Sequence, residues 1–120
     1  MTISVLFVDD DKSLLDGIKR VATIENEDMV VDTATSAEEA LKLLESKKYD
    51  VVVSDQRMPG MEGLTLLSLI RVKYPDIKRI MLSAQVNEDV YKSAETVAHR
   101  YIAKPCDFDI ILKEIESLCS

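Results

Sequence analysis

The sequence contains few of the residues from which cross-linked, metal-thiolate and nucleotide sites are built. It has two cysteines, three glycines and one histidine. Cys106 and Cys119 form no CxxC pair and are too few for a disulfide framework, so we expect reduced thiols. The three glycines match neither GxGxxG nor GxxxxGK, which argues against a bound dinucleotide or a P-loop phosphate site.

The chain also lacks long hydrophobic segments and an excess of positive charge. No apolar run approaches the roughly 20 residues that a membrane helix needs, and the start of the chain lacks the basic flank of a signal peptide. Fifteen lysines and arginines oppose 22 aspartates and glutamates, a net charge of −7, which disfavours contact with duplex nucleic acid or an anionic membrane. We therefore expect a cytoplasmic protein that binds neither of them directly.

The length and composition predict one folded unit. A chain of 120 residues has room for one domain and can bury most of the surface that its unfolded form exposes. Hydrophobic residues make up 47% and charged residues 31% of the sequence, values typical of globular rather than disordered proteins. The prediction is a single domain spanning residues 1–120.

Short apolar runs alternate along the chain with longer stretches in which apolar residues recur every three or four positions. The first, third and fourth runs are continuously apolar, as in a parallel sheet covered by helices on both faces. The alternation therefore predicts an α/β fold of the (βα)5 type. The five predicted strands are Ile3–Val8, Met29–Ala34, Val51–Ser54, Ile77–Leu82 and Tyr101–Ala103.

Five amphipathic stretches predict the helices. Their apolar stripes start at Leu14, Ala37, Leu64, Val86 and Ile110. Ser36 and Glu39 form a capping box at the start of the second helix, in which both side chains would satisfy amides of the first turn. The third stripe extends to Val72 and is ended by Pro75.

Unusual polar residues follow four of the five predicted strands. Asp9 and Asp10 follow the first strand, Asp55 the third, Ser83 the fourth and Lys104 the fifth. The carboxyl ends of the strands in an open α/β sheet form the crevice where ligands bind. We therefore expect these side chains to converge on one site.

The chemistry of this cluster indicates a divalent cation. Carboxylates close together repel one another unless a cation neutralises them. Oxygen ligands without nearby His or Cys, with positions left for water and phosphate, suit Mg²⁺ best. A carboxylate beside Mg²⁺, a lysine and a hydroxyl can accept a phosphoryl group and form an acyl phosphate.

At these positions the sequence resembles the receiver domains of two-component response regulators, and the resemblance spans nearly the whole chain. It implies a flavodoxin-like sheet with strand order 2-1-3-4-5. Four segments in the family's order carry it: Val8-Asp9-Asp10, residues 54–63 (SDQRMPGMEG), Leu82-Ser83-Ala84 and Tyr101-Ile102-Ala103-Lys104-Pro105.

The resemblance also implies a role for each site residue. Asp55 would be the phosphoacceptor, and Tyr101 would be the switch aromatic. Ser83 and Lys104 would contact the phosphoryl group. The Mg²⁺ ligands would be Asp9, Asp10, Asp55 and the backbone carbonyl of Arg57.

The signalling role follows from the same resemblance. A sensor histidine kinase would supply the phosphoryl group, and the domain would assist only its own phosphorylation and dephosphorylation, so we expect a switch rather than an enzyme. Phosphorylation would change the surface of helix 4, strand 5 and helix 5. That surface would control an output domain beyond Ser120, a partner protein or a phosphorylation-dependent dimer. Some local segments look like receivers attached to HD-type or HDOD output domains.

Plainer interpretations exist for the individual residues. An Asp run before a helix commonly caps it, and we assign this role to Asp11, whereas for Asp9 and Asp10, taken alone, capping and metal binding both stay open. Tyr101 can be a simple strand aromatic, and His99 is predicted to be exposed before strand 5, without a partner that would make it a base or a metal ligand. The convergence of the other candidates on one edge favours a shared site.

Two other functions compete with the receiver. In a small haloacid-dehalogenase-like Mg²⁺ phosphatase, Asp9 would be the nucleophile, because Asp9-Asp10-Asp11 resembles that family's motif. The short chain, the lack of a cap domain and the lack of a second acidic motif after Lys104 argue against it. A receiver-like module that only binds proteins without being phosphorylated is the third hypothesis, although all five key positions are filled.

Overall fold

In the computed structural model, five strands alternate with five helices. The structure describes residues 2–25, 28–84, 88–104 and 107–119. The side chains of residues 25 and 88–91 are not described. Among the described helices, none is long and apolar enough to cross a membrane. The elements are β1 (Ile3–Val8), α1 (Lys12–Glu25), β2 (Met29–Ala34), α2 (Ala37–Ser46), β3 (Val51–Asp55), α3 (Gly63–Lys73), β4 (Lys78–Ser83), α4 (Glu88–Val97), β5 (Arg100–Ala103) and α5 (Phe108–Cys119).

The strands form one parallel sheet in the order β2-β1-β3-β4-β5. The predicted (βα)5 architecture and the implied strand order are therefore confirmed. β4 begins and ends one residue later than predicted, because the Lys78 amide donates to Asp50 O at 2.9 Å and Ser83 pairs with Ala103. This pairing carries Ser83 to the last position of its strand.

The sheet separates two hydrophobic cores, because successive side chains of a strand point to opposite faces. Val5 and Phe7 of β1 belong to the core beneath α1 and α5. Leu6 and Val8 belong to the core shared with α2, α3 and α4. All four side chains are buried, so β1 is held from both faces, as its continuous apolar run predicts.

Among the described residues of the predicted apolar stripes, Val72 and Ile110 are exposed. Val72 is 81% exposed and Ile110 is 48% exposed. A helix turns by about 100° per residue, so a side chain two positions from Ile70 lies on the opposite side of the helix. Ile70 and Ile111 are the buried members of these stripes, and the placement of Val72 and Ile110 in the stripes was wrong.

The start of α2 confirms half of the predicted capping box. The Glu39 amide donates to Ser36 Oγ at 3.1 Å, which satisfies a first-turn donor that the helix cannot satisfy itself. The Glu39 carboxylate instead accepts a hydrogen bond from the Thr35 hydroxyl at 3.0 Å. The Glu39 side chain thus binds the side chain of Thr35, the residue before the N-cap, instead of a backbone amide of the first turn.

A buried arginine fastens the end of α4 to β4. Arg79 is 7% exposed, and its Nε donates to Val97 O at 2.6 Å while a terminal nitrogen donates to Ile77 O at 3.0 Å. His99 lies beside it: the His99 amide donates to Arg79 O at 2.7 Å, and the Arg79 amide donates to His99 Nδ1 at 3.0 Å. The imidazole therefore takes the place of a backbone carbonyl just before β5, where His99 is exposed as predicted.

This histidine should make stability depend on pH. Burial and the charges of Arg79, Lys78 and Arg100 lower the pKa of His99. The folded protein therefore favours the neutral ring of His99. The contribution of this ring to the free energy of unfolding is complete above about pH 6.5 and is lost as pH falls through the lowered pKa of the folded state. We expect the free energy of unfolding, measured in urea, to fall more between pH 7.5 and 5.5 in the native protein than in His99→Gln, which cannot gain this charge. Equal declines would contradict the assignment.

Candidate functional site

The sequence-predicted site residues meet at the carboxyl edge of the sheet. Asp9 directly follows β1, Asp55 ends β3, Ser83 ends β4 and Lys104 directly follows β5. β1 and β3 are neighbours in the sheet, which places Asp9 beside Asp55. The structure thus brings together side chains from four strands, as the position of these residues after each strand predicts.

Lys104 joins two of the carboxylates. Its Nζ lies 3.1 Å from Asp9 Oδ2 and 3.2 Å from Asp55 Oδ1. The backbone amide of Lys104 donates to Ser83 O at 2.8 Å, which extends the β4–β5 pairing and fixes the base of the side chain. Asp9, Asp55 and Ser83 are all buried, so the ion pairs lie where water screens them weakly.

Three carboxylates could hold a cation together. Asp9, Asp10 and Asp55 each offer an oxygen, and these atoms lie within 4.8 Å of one another, with Asp10 the exposed member. Asp10 and Arg57 also line one cavity of about 330 Å³. The donor set consists of oxygen atoms only, which fits a hard ion such as Mg²⁺, with water and phosphate completing its coordination.

Negative charge exceeds positive charge among the side chains of the site. Burial and the Asp9 charge raise the pKa of Asp55, and the ammonium of Lys104 only partly offsets them. Burial lowers the pKa of Lys104, but its hydrogen bond to Asp9 and the charges of Asp55 and Asp9 outweigh this, so the net direction is upward. One lysine is shared by two buried carboxylates, and a bound cation would relieve the remaining repulsion.

A family model described as "Response regulator receiver domain" matches residues 5–116 of the chain. The chain belongs to this family. As a receiver domain, it is a phosphoacceptor unit of two-component signalling, and the match does not favour the phosphatase or the unphosphorylated binding module.

Curated and solved receiver proteins agree with the assignment. The DNA-binding transcriptional regulator NtrC of Proteus hauseri is 38% identical over 114 residues, covering 94% of this chain and 24% of that protein. The response regulator TrrA of Thermotoga maritima, solved in complex with Mg²⁺-BeF, has a TM-score of 0.86 and 33% identity, with 98% of this chain and 99% of that chain covered. The signal receiver domain of an HD domain-containing protein from Pseudomonas fluorescens has a TM-score of 0.86 and 28% identity, covering 98% and 94% of the two chains. The chain thus spans about a quarter of the length of NtrC.

In this receiver Asp9 and Asp11 each accept a backbone hydrogen bond in the segment after β1. The Asp11 amide donates to Asp9 Oδ1 at 2.9 Å, while Asp9 Oδ2 faces Lys104. Asp11 Oδ1 accepts from the Leu14 amide at 3.2 Å and caps α1, as predicted. Asp9 therefore shapes the turn with one oxygen and faces the site with the other.

The segment between β3 and α3 of the receiver is closed tightly on Asp55. A Cβ at Gly63 would overlap the backbone oxygen of Asp55 and lie 3.0 Å from Gln56 Cα, so only glycine fits at the first residue of α3. Gly60 has φ +83°, in the left-handed region that glycine adopts without steric cost. These two glycines let the loop turn back within a few residues of Asp55.

One residue of this loop was missed by the sequence analysis. Gln56 is 5% exposed, and its side chain bonds to the Leu64 amide and to Glu62. The only signal in the sequence is an amide side chain placed directly after a buried strand and six positions before a glutamate. This pattern does not predict the contacts of Gln56, because they form only when the loop between β3 and α3 folds back.

The remaining predicted residues pack against the two cores or lie outside the described residues. Tyr101 is half-buried on β5 and packs against the core formed with α2, α3 and α4. Cys119 is a free, half-buried thiol packed against the opposite core. Val97, at the end of α4, is 8% exposed and belongs to the core. Cys106 and Val86 lie outside the described residues.

Proposed function

We propose that Asp55 accepts a phosphoryl group from the phosphohistidine of a sensor kinase in a Mg²⁺-dependent reaction. The observation that carries the proposal is the placement of Lys104 Nζ within 3.2 Å of an oxygen of both Asp9 and Asp55. Asp9, Asp10, Asp55 and the backbone carbonyl of Arg57 would hold the metal. The complex of TrrA with Mg²⁺-BeF supports a metal and a phosphoryl-like group in the same type of site.

The reaction needs few groups from the protein. A carboxylate oxygen of Asp55 attacks phosphorus, and the P–N bond of the phosphohistidine breaks with its electron pair going to the imidazole. Lys104 holds Asp55 Oδ1 and neutralises charge on the transferred group, while the Ser83 hydroxyl donates a hydrogen bond to a phosphoryl oxygen. Bound Mg²⁺ supplies further neutralisation of that charge. The product is an aspartyl phosphate that water later hydrolyses.

We further propose that the domain is a switch and turns over no free metabolite. Ser83 and Tyr101 lie on β4 and β5, so a hydrogen bond drawn toward phosphorylated Asp55 acts on the surface of α4, β5 and α5. Its target is an output domain beyond residue 120 or a partner protein, and a phosphorylation-dependent dimer is a further form of output. The greater length of NtrC supports an output domain, and the Pseudomonas fluorescens relative supports one of the HD type.

The proposal predicts one phosphorylated residue. After incubation with acetyl phosphate and Mg²⁺, borohydride trapping and mass spectrometry should place all label on Asp55, and EDTA should abolish labelling, because the metal offsets the charge of the three carboxylates. Asp11→Asn is the matched control and should label normally, since Asp11 caps α1. Undiminished labelling in EDTA would refute the metal requirement, and label on Asp9 would instead support the phosphatase.

A further inference from the structure

The side chain and the backbone of Gln56 together close the loop that follows Asp55. The Leu64 amide donates to Gln56 Oε1 at 2.8 Å, and Gln56 Nε2 donates to Glu62 Oε2 at 3.2 Å. The Gly63 amide donates to Gln56 O at 3.0 Å, and the Gln56 amide donates to Leu82 O at 2.9 Å. Gln56 is thus tied to β4 on one side and to the start of α3 on the other.

These bonds replace a conventional helix cap. The N-cap residue of α3 is Glu62, whose side chain makes no capping hydrogen bond. The first amides of a helix lack partners within the helix, and the carboxamide of Gln56 supplies one from the far end of the loop. The cap therefore also pins residues 57–61 between two fixed points.

The pinned loop is the one that would present a metal ligand. Arg57 lies directly after Gln56, and it lines the cavity of about 330 Å³ together with Asp10 and Glu62. Gln56 also holds the carboxylate of Glu62, an exposed residue that lines the same cavity as Asp10. A change at Gln56 would therefore release both the loop that carries the Arg57 carbonyl and the Glu62 carboxylate at the cavity.

We infer that Gln56 is a positioning residue for metal binding: its carboxamide clamps Glu62 and the start of α3 so that the Arg57 carbonyl is held ready for the ion. The role rests on the proposed function of the site. A ligand fixed in advance loses less conformational entropy when the ion binds, and supporting hydrogen bonds of this kind commonly change metal affinity strongly.

The test is a titration with MgCl₂, followed by NMR of the backbone amides. In Gln56→Leu, we expect the Mg²⁺ dissociation constant to rise by about tenfold. Exchange of the Leu64 amide with solvent should also become faster without any metal, because its acceptor is gone. An unchanged dissociation constant in this variant would overturn the role, whatever its effect on stability.

Two matched variants separate positioning from general destabilisation. The double variant Gln56→Glu with Glu62→Gln keeps the net charge and reverses the donor and acceptor, so it should restore Mg²⁺ affinity to within about twofold of native. Ser36→Ala removes the cap of α2 and should lower the melting temperature without changing Mg²⁺ affinity. Failure of the double variant to restore binding would also overturn the role. If the native protein binds no Mg²⁺, the proposed metal site itself fails, and the role of Gln56 fails with it.

Discussion

Asp55→Asn should abolish phosphorylation by acetyl phosphate and at the same time stabilise the metal-free protein. The first effect follows because the amide cannot form the acyl phosphate. The second follows because burial and the Asp9 charge raise the pKa of Asp55, so its ionised form destabilises the folded state. Because the pKa of Asp55 is higher in the folded than in the unfolded protein, the stabilising contribution of its protonated form is complete below about pH 4. This contribution is lost as pH rises through the pKa of the folded state. The unfolding midpoint in EDTA should therefore be higher in the variant at pH 7, and the difference should shrink at pH 4.

Asp16→Asn is the control for net charge. Asp16 is exposed on α1, and its substitution removes one negative charge that is not part of the cluster of Asp9, Asp10 and Asp55. This variant should be phosphorylated normally and show no such pH-dependent gain over the native protein. Lys104 is half-buried and keeps Asp9 as a partner in Asp55→Asn, so its ammonium still has a counter-ion. A lower unfolding midpoint for Asp55→Asn at pH 7 would contradict the electrostatic account.

Gly63→Ala should have the largest effect on stability. The added Cβ would overlap the backbone oxygen of Asp55, and backbone atoms of a central strand cannot move aside as a flexible side chain would. We expect a loss of about 3 kcal/mol in the free energy of unfolding, at the upper end of typical overpacking costs. The displaced loop should also weaken Mg²⁺ binding. Urea denaturation and a Mg²⁺ titration measure the two effects.

Gly17→Ala provides the matched comparison within the same chain. Gly17 lies in α1, and a Cβ there would meet only the Phe108 ring at 3.7 Å, which is an ordinary contact. Alanine favours a helix over glycine by about 1 kcal/mol, so this variant should be as stable as the native protein or more stable. A similar destabilisation of both variants would show that the close approach at Gly63 is not the cause.

The position of the site could be predicted because parallel strands all end at one edge. Asp9, Asp55, Ser83 and Lys104 each follow or end an apolar run, and a parallel sheet brings those ends together whatever the details of packing. The apolar runs of β1, β3 and β4 are continuous because helices cover both sheet faces. The sequence thus predicted the fold and the convergence of the candidate site.

The contacts that support the site and the sheet were not predictable from local pattern. The sequence around Arg79 does not predict its role, because its acceptor, Val97 O, belongs to the end of α4. His99 likewise acquires its role only when its ring meets the Arg79 amide. Gln56 depends on the path of the loop between β3 and α3. Each is a side chain bonded to the backbone of another segment, and such bonds depend on three-dimensional packing rather than on periodicity.

The ion pair between Lys104 and Asp9 joins residues that lie 95 positions apart in the chain. During synthesis, the aspartates of β1 and β3 leave the ribosome long before Lys104 does. Chains fold as they emerge, yet the ammonium arrives only when β5 pairs with β4. A nascent or truncated chain without β5 would carry clustered carboxylates without the Lys104 ammonium, so we expect the site to be assembled only after β5 has joined the sheet.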